Sequence, residues 1–433
     1  MLTDKFVKSL MALRAVSISA ELRNVIQGCL LDWCGCFLAG VKTLKSSGHP
    51  LDDLQGGLVG RALQLGYLSH LVELDDGHRF GMVHPGAPVV SALFAVAERE
   101  EVGADDFLRA VLIGYETTIR LACAVQPGCK LRGYHATGTC GAAGAAMSVA
   151  ALLHFNEPQT KCALSAALSS GAGLLEMIEG ESELKPYNAG RAAMDGVMAA
   201  LFGRQGFRSP VDALGGKRGF LNAMTDSPRI EYLEGMPNGR YAIETIYQKP
   251  YAACRHCHAP IEAALKLAAG GIHFENIDKV RVETYKLAID GHDHCDVSGI
   301  SSAKMSIPYS VAAALIVRSG GLTAFMDGVI SNPRVKALAN RVRVVERSDF
   351  SAACPNKRIA HVYVKFLDGA EMDAQVDFPK GEPENPLSSV ELGEKFMELA
   401  RFSGKNAEKA FEISNMISMN KINPTQLLKE IDL

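Results

Sequence analysis

Long segments built almost entirely from small apolar residues constrain this chain most. The stretches 87-APVVSALFAVAERE, 105-DDFLRAVLIGYETTIRLACAV and 160-TKCALSAALSSGAG carry apolar residues on more than one helical face. Helices of that kind have no wet side, and their Ala, Gly and Ser positions let neighbouring backbones come close. The pattern predicts a buried helical bundle from about residue 1 to 245. Within it, Asp105 or Ala104 starts a helix after a turn at Gly103. Gly133, Gly138, Gly190 and 215-GG-216 read as breaks between helices.

The texture changes after about residue 270. The stretch 278-DKVRVETYKLAI alternates apolar and polar residues, as a strand does. So do 341-RVRVVERS and 359-IAHVYVKFLDGAEMDAQVDFP, the latter with Asp368-Gly369 as a hairpin turn. Helical stretches lie between them at 309-YSVAAALIVRSG and 333-PRVKALANR. The chain returns to helices at 388-SSVELGEKFMELARFSG and 405-KNAEKAFEISNMI, expected to pack back on the first domain. The predicted class is mainly α. A large all-helical domain takes residues 1–245 and 390–433, and a smaller α+β domain takes 246–389.

At 433 residues and 48% hydrophobic, the chain can bury a large core. A formal charge of −3 with no block of Lys and Arg argues against a nucleic-acid surface. The opening 40 residues lack the basic head, apolar run and cleavage site of a secretory signal, and read as an amphipathic helix leading into a buried one. No uninterrupted apolar run of about 18 residues stands out, so no membrane span is expected. The longest candidate, 140-CGAAGAAMSVAALL, is short and rich in Ala and Gly. Eleven scattered cysteines, an odd number, suit reduced thiols and a cytoplasmic setting.

The stretch 254-CRHCH-258 matches the Cys-x-x-Cys-His pattern of c-type haem attachment, and two cysteines with two histidines also suit zinc. Covalent haem goes with export, for which no signal is visible. Structural zinc needs a second ligand pair, which only 292-HDHC-295 offers, through His292, His294 and Cys295. The expectation is that the chain holds neither haem nor metal.

Five polar groups carry potential chemistry, the fourth of which includes this stretch. The loop 73-ELDDGHRFGMVHPGAPV holds Glu73, Asp75, Asp76, His78, Arg79 and His84 before a helix starting near Pro85. It reads either as solvated surface or as a loop facing a cleft. In 132-RGYHATGTCGAAGAA, Gly, Thr and Gly lead into a helix whose N-terminus suits an anion, although no strand precedes it as a dinucleotide fingerprint requires. In 183-ELKPYNAGRAAMDG, Lys185 precedes Pro186 and so is expected in an extended or turn conformation. The fourth group is Lys249, Arg255, His256 and His258. The fifth is 303-AKMSIPYSVAAAL, where Tyr309 follows Pro308 at a helix start. The chain lacks a P-loop, a Rossmann fingerprint, a Gly-x-Ser-x-Gly elbow and a zinc-protease motif. That inventory suits acid–base chemistry on a carboxylate without a bound cofactor.

Five fragments in collinear order, 84-HPGAPV, 134-YHATGTCGAAGAA, 185-KPYNAGRAAMDG, 249-KPYAACRHCHAPIEAAL and 303-AKMSIPYSVAAAL, resemble the MmgE/PrpD family. Its members include 2-methylcitrate dehydratase, cis-aconitate decarboxylase and iminodisuccinate epimerase. The resemblance covers nearly the whole chain. It implies a large helical domain built from both chain ends, a smaller α+β lid, a homodimer, and an active site between the domains that uses no metal or nucleotide. It makes CRHCH an active-site segment whose likeness to haem attachment is accidental.

Glu73, Asp75 and Asp76 resemble the acids of the family's Asp-Phe-Asp-Asp-Thr pattern. His84, His135, Lys185, Tyr309 and the more distal His258 match further family positions, which makes these eight the implied catalytic set. Lys249, Arg255, Cys254, His78 and Thr137 are the implied substrate-binding set. The chain departs from the family at Glu73, the first acid, and at Gly77-His78 in place of Thr. One extra residue stands before His84, and Cys254 occupies the place of a His in decarboxylase-type members. The implied substrate is a small di- or tricarboxylate held by Lys185, Lys249 and Arg255. His135 or His84 would remove a proton next to a carboxylate, and His258 or Tyr309 would act as the acid. A 2-methylcitrate dehydratase-like dehydration is the leading expectation, with epimerisation as in iminodisuccinate epimerase, or decarboxylation, as alternatives.

Overall fold

The computed structural model describes residues 1–48, 56–178, 182–418 and 423–431. The chain divides into two units. The first comprises Met1–Met177, Leu184–Tyr247 and Ser388–Leu433, and the second Ile178–Glu183 and Gln248–Leu387.

The first unit is helical, as the small-residue segments predict. The helix Ala136–Leu152 is buried at every residue. It packs against Ala104–Val125 on one side and Lys185–Arg204 on another, with Gly86–Ala97 and Gly57–Leu71 completing the bundle. Gly138 and Gly190 are not breaks. Both lie inside helices, where a Cβ on Gly138 would stand 2.4 Å from the Ala172 carbonyl oxygen and one on Gly190 2.5 Å from that of Leu63. They are there for close approach of backbones. Gly133 does sit in a turn, at φ 80°.

Ala20–Ser47 is long and apolar enough to cross a membrane, yet 83% of its most apolar window is buried inside the protein. The C-terminal helix Ser389–Ser403 packs on it. There the Lys395 ammonium meets Asp32 and donates to the Leu74 carbonyl at 2.8 Å. That places the last segment directly behind the acidic loop.

The second unit carries a four-stranded sheet in the order β2-β1-β3-β4, built from β1 (Ile277–Thr284), β2 (Val342–Glu346), β3 (Ala360–Phe366) and β4 (Glu371–Val376). β1 pairs with β2 in parallel, Val280 opposite Val342, and with β3 antiparallel, Val282 opposite Val362. The β3–β4 hairpin turns at Gly369, at φ 89°, with Asp368 accepting from the Ala370 amide. Alternation in β3 buries Ala360, Val362 and Val364 under the helix His258–Ala269. The alternating run from 278 does not continue as strand throughout. β1 ends at Thr284, and Lys286–Ile289 is a helical turn.

Candidate active site

The acidic loop joins the helix Gly57–Leu71 to the helix Gly86–Ala97. It is not solvated surface: Glu73, Asp75, Asp76, His78, Arg79 and His84 are all buried. Two non-glycine residues, Glu73 at φ 58° and Met82 at φ 47°, adopt left-handed backbone. That conformation is costly for such side chains and marks a loop whose shape its surroundings impose. Gly77 exchanges both backbone hydrogen bonds with Tyr247, at 3.0 and 2.7 Å. A Cβ at Gly77 would lie 2.4 Å from Tyr247 Oη, so the Tyr247 ring fills the space a Thr side chain would need.

Asp75 is the centre of the loop. Its two oxygens accept from His70 Nδ1 at 2.9 and 2.8 Å, and Oδ2 lies 3.4 Å from His84 Nδ1. Burial alone would raise this carboxyl, but His70 and His84 reverse that and hold it well below the usual carboxylate range. Asp76 goes the other way. Burial and then the nearby Asp32 carboxylate push it up to about 8, although Tyr115 Oη and the Gly86 amide donate to it at 2.5 and 3.1 Å. Adjacent residues thus supply one ionised carboxylate and one acid that keeps its proton near neutral pH.

His84 Nδ1 stands 2.7 Å from the Asp76 carbonyl oxygen, which can only accept. That places the ring proton on Nδ1 and the lone pair of the neutral imidazole on Nε2. Thr137 Oγ1 accepts from the His84 amide at 3.1 Å, which ties the loop to the start of the Ala136–Leu152 helix. His135 caps that helix, so Thr137 and Gly138 lie within its first turn rather than before it. The Asn188 amide donates to His135 Nδ1 at 3.4 Å, as assigned, which leaves the ring proton on Nε2. Burial first, then Lys185, His70 and His84, hold His135 well below the usual imidazole range, so it is neutral.

Lys185 is the first residue of the helix Lys185–Arg204, not an extended residue. Pro186 sits in the first turn, where a missing N–H costs nothing. Its ammonium lies 2.5 Å from Glu73 Oε2, with the two side chains 14% and 7% exposed. His70 completes the cluster, its ring centroid 4.7 Å from that of His84 and 6.4 Å from that of His135. Sequence reasoning missed it, because one histidine ending an apolar helix reads as core. Tyr115 and Tyr247 were missed as well, since a lone tyrosine gives no sign of what it packs against. His78 holds the loop: its Nδ1 accepts from the Gly81 amide at 3.0 Å, and its ring lies beside Phe80 and Cys123.

The donor atoms of His70, Asp75 and His84 lie within 4.8 Å of one another, the one metal-type grouping found among the described residues. Their hydrogen bonds fit a proton relay better, since the Asp76 carbonyl already takes the Nδ1 proton of His84.

The remaining expected residues lie in the second unit. Arg255 is engaged there by Glu382, the Lys380 and Pro379 carbonyls, and His258 Nδ1. His258 also donates from Nε2 to the Ala253 carbonyl at 3.1 Å, so both its nitrogens are occupied. Burial, then Arg255 and Lys249, keep it neutral. Tyr309 donates to the Ala324 carbonyl at 2.6 Å. Lys249 is fully buried. Cys254 Sγ lies 3.2 Å from His292 Nε2, so the CRHCH and HDHC segments do meet, although as a thiol–imidazole contact rather than a four-ligand cluster.

The MmgE/PrpD N-terminal domain matches residues 52–233 and the MmgE/PrpD C-terminal domain matches 251–418. A cis-aconitate decarboxylase-like protein of Aspergillus oryzae is 26% identical, over 94% of this chain and 91% of its own. A cis-aconitate decarboxylase of Aspergillus terreus is 25% identical, over 79% and 75%. A mitochondrial 2-methylcitrate dehydratase of Yarrowia lipolytica is 26% identical, over 63% and 55%. With both family domains matched in order over most of its length, the chain belongs to the MmgE/PrpD family.

Proposed function

We propose that this protein is a lyase that removes a proton next to a carboxylate of a small di- or tricarboxylic acid and expels a hydroxyl as water. The observation that carries the reading is the Asp75–His84 arrangement. In its unprotonated form His84 carries its lone pair on Nε2 and can act as a general base, and the ionised Asp75 beside it stabilises the imidazolium formed when the proton arrives. The carbanion next to the carboxylate has enolate character and needs positive charge. Lys185 supplies it, and the neutral His135 adds an N–H without adding a competing charge. The proton taken by His84 is then available to the departing hydroxyl.

Decarboxylation is the second reading, favoured by two relatives that carry the name cis-aconitate decarboxylase or its like. It uses the same cations and returns a proton to carbon after CO2 leaves. Proton NMR in heavy water with malate, citrate, methylcitrate, aconitate and iminodisuccinate distinguishes the outcomes. A new alkene signal with loss of hydroxylated substrate supports dehydration. Loss of a carboxylate with deuterium gained supports decarboxylation. Deuterium entering with no group lost replaces both with epimerisation.

A further inference from the structure

Cys254 stands at the N-cap of the turn Arg255–Cys257, which runs directly into the helix His258–Ala269. Its carbonyl accepts from the Cys257 amide at 2.9 Å, which fixes the backbone that carries the thiol. Cys254 Sγ lies 3.2 Å from His292 Nε2. His292 Nδ1 lies 2.9 Å from the Asp290 carbonyl oxygen, which can only accept. The ring proton is therefore on Nδ1, and Nε2 presents its lone pair to the thiol. If the proton moves to Nε2, a thiolate faces an imidazolium whose two N–H groups both keep acceptors. Other groups near the pair include His256, whose ring is edge-on to His292 at 5.1 Å, Tyr285, which hydrogen-bonds His256 at 2.7 Å, the neighbouring Arg255, and Lys304, whose carbonyl takes the Cys254 amide.

The other cysteines lack this combination. Eight of the eleven are buried, and only Cys254, Cys295 and Cys354 are partly exposed. Cys123 also has a histidine nitrogen near it, His78 Nδ1 at 3.6 Å. That nitrogen already accepts from the Gly81 amide, and burial pushes the Cys123 thiol up to about 12.

We propose that Cys254 and His292 form a thiol–imidazole pair that makes Cys254 a nucleophilic modification site for small neutral carbon electrophiles. With iodoacetamide, the Cys254 sulfur bonds to the methylene carbon, the carbon–iodine bond breaks, and iodide leaves with its electron pair. The thiol proton stays on His292. The readout of this chemistry is alkylation rather than turnover.

The test is iodoacetamide labelling of the intact native protein at pH 7, followed over time by peptide mass spectrometry. An ordinary thiol is only about 3% ionised at that pH. Cys254 is expected to react at least about tenfold faster than Cys295 and Cys354. His292→Gln should slow Cys254 about tenfold and leave the other two rates unchanged, which also reports that the variant is folded. Equal rates for the three cysteines in the wild-type protein overturn the proposal without recourse to any variant. So does a His292→Gln protein in which Cys254 still reacts at the wild-type rate.

Discussion

His70 grips both oxygens of Asp75 with a single ring nitrogen, at 2.9 and 2.8 Å, and both side chains are buried. The other ring nitrogen, Nε2, is buried with no hydrogen-bond partner. A ring so placed acts through Asp75, and Asp75 in turn orients His84, which makes His70 a positioning residue. Asn can offer an N–H close to where Nδ1 stands, whereas Leu cannot. His70→Leu should lower kcat by about 100-fold and move the acid limb of the kcat/KM profile, because the carboxylate behind His84 is no longer held. His70→Asn should recover most of the loss. Equal damage from both variants would mean that His70 only fills space.

Asp76 predicts a pH dependence of stability. Its folded pKa of about 8 stands above the ordinary value near 3.9, so the native state binds more protons between those values. Below about pH 4 both states are protonated and the group costs nothing. As pH rises from about 4 to 8 the unfolded chain ionises first, and stability falls by up to about 1.4 kcal/mol per unit. Asp76→Asn keeps the neutral shape and removes that slope. Urea unfolding at several pH values should show the variant gaining on the wild type from pH 5 to 8. Parallel curves would refute the raised pKa.

Gly77 and Tyr247 predict a compensating pair. A Cβ at Gly77 meets Tyr247 Oη at 2.4 Å and Cζ at 2.5 Å, both on a buried ring. Gly77→Thr alone should cost about 1–3 kcal/mol from overpacking. In a Tyr247→Ala background the same change should cost far less, giving a coupling energy a double-mutant cycle can read. Additive effects would show that the ring does not occupy the Thr space.

These residues also show what was legible in the chain. The helical first unit was, because segments apolar on several faces have no other stable arrangement than burial among helices. The β3–β4 hairpin was, because Asp368-Gly369 is turn chemistry between alternating runs. Gly138 and Gly190 misled, since a glycine that admits a neighbouring backbone looks the same in sequence as one that ends a helix. Lys185 misled because the pull of a pre-proline residue towards extended backbone is a bias, and the helix Lys185–Arg204 overrides it. The loop from Glu73 to His84 left its burial open, because a run of charges carries no sign of the partners that neutralise it. His70 is such a partner, and its distance of five positions from Asp75 fits neither a helix nor a strand period.

His84 and His135 were interchangeable as bases in the sequence, and the structure gives them different protons. The Asp76 carbonyl puts the His84 proton on Nδ1, and the Asn188 amide puts the His135 proton on Nε2. On the proposed reading His84 takes the proton from carbon, while the neutral His135 donates to developing negative charge. Substrate exchange with deuterium separates these duties, since exchange needs only abstraction and return of a proton. His84→Gln should abolish exchange and turnover together, by about 1,000-fold or more. His135→Gln retains an N–H donor near the developing charge and should slow exchange and turnover together by only roughly 10–100-fold, so that both stay measurable. Loss of exchange in His135→Gln with its survival in His84→Gln would reverse the two roles.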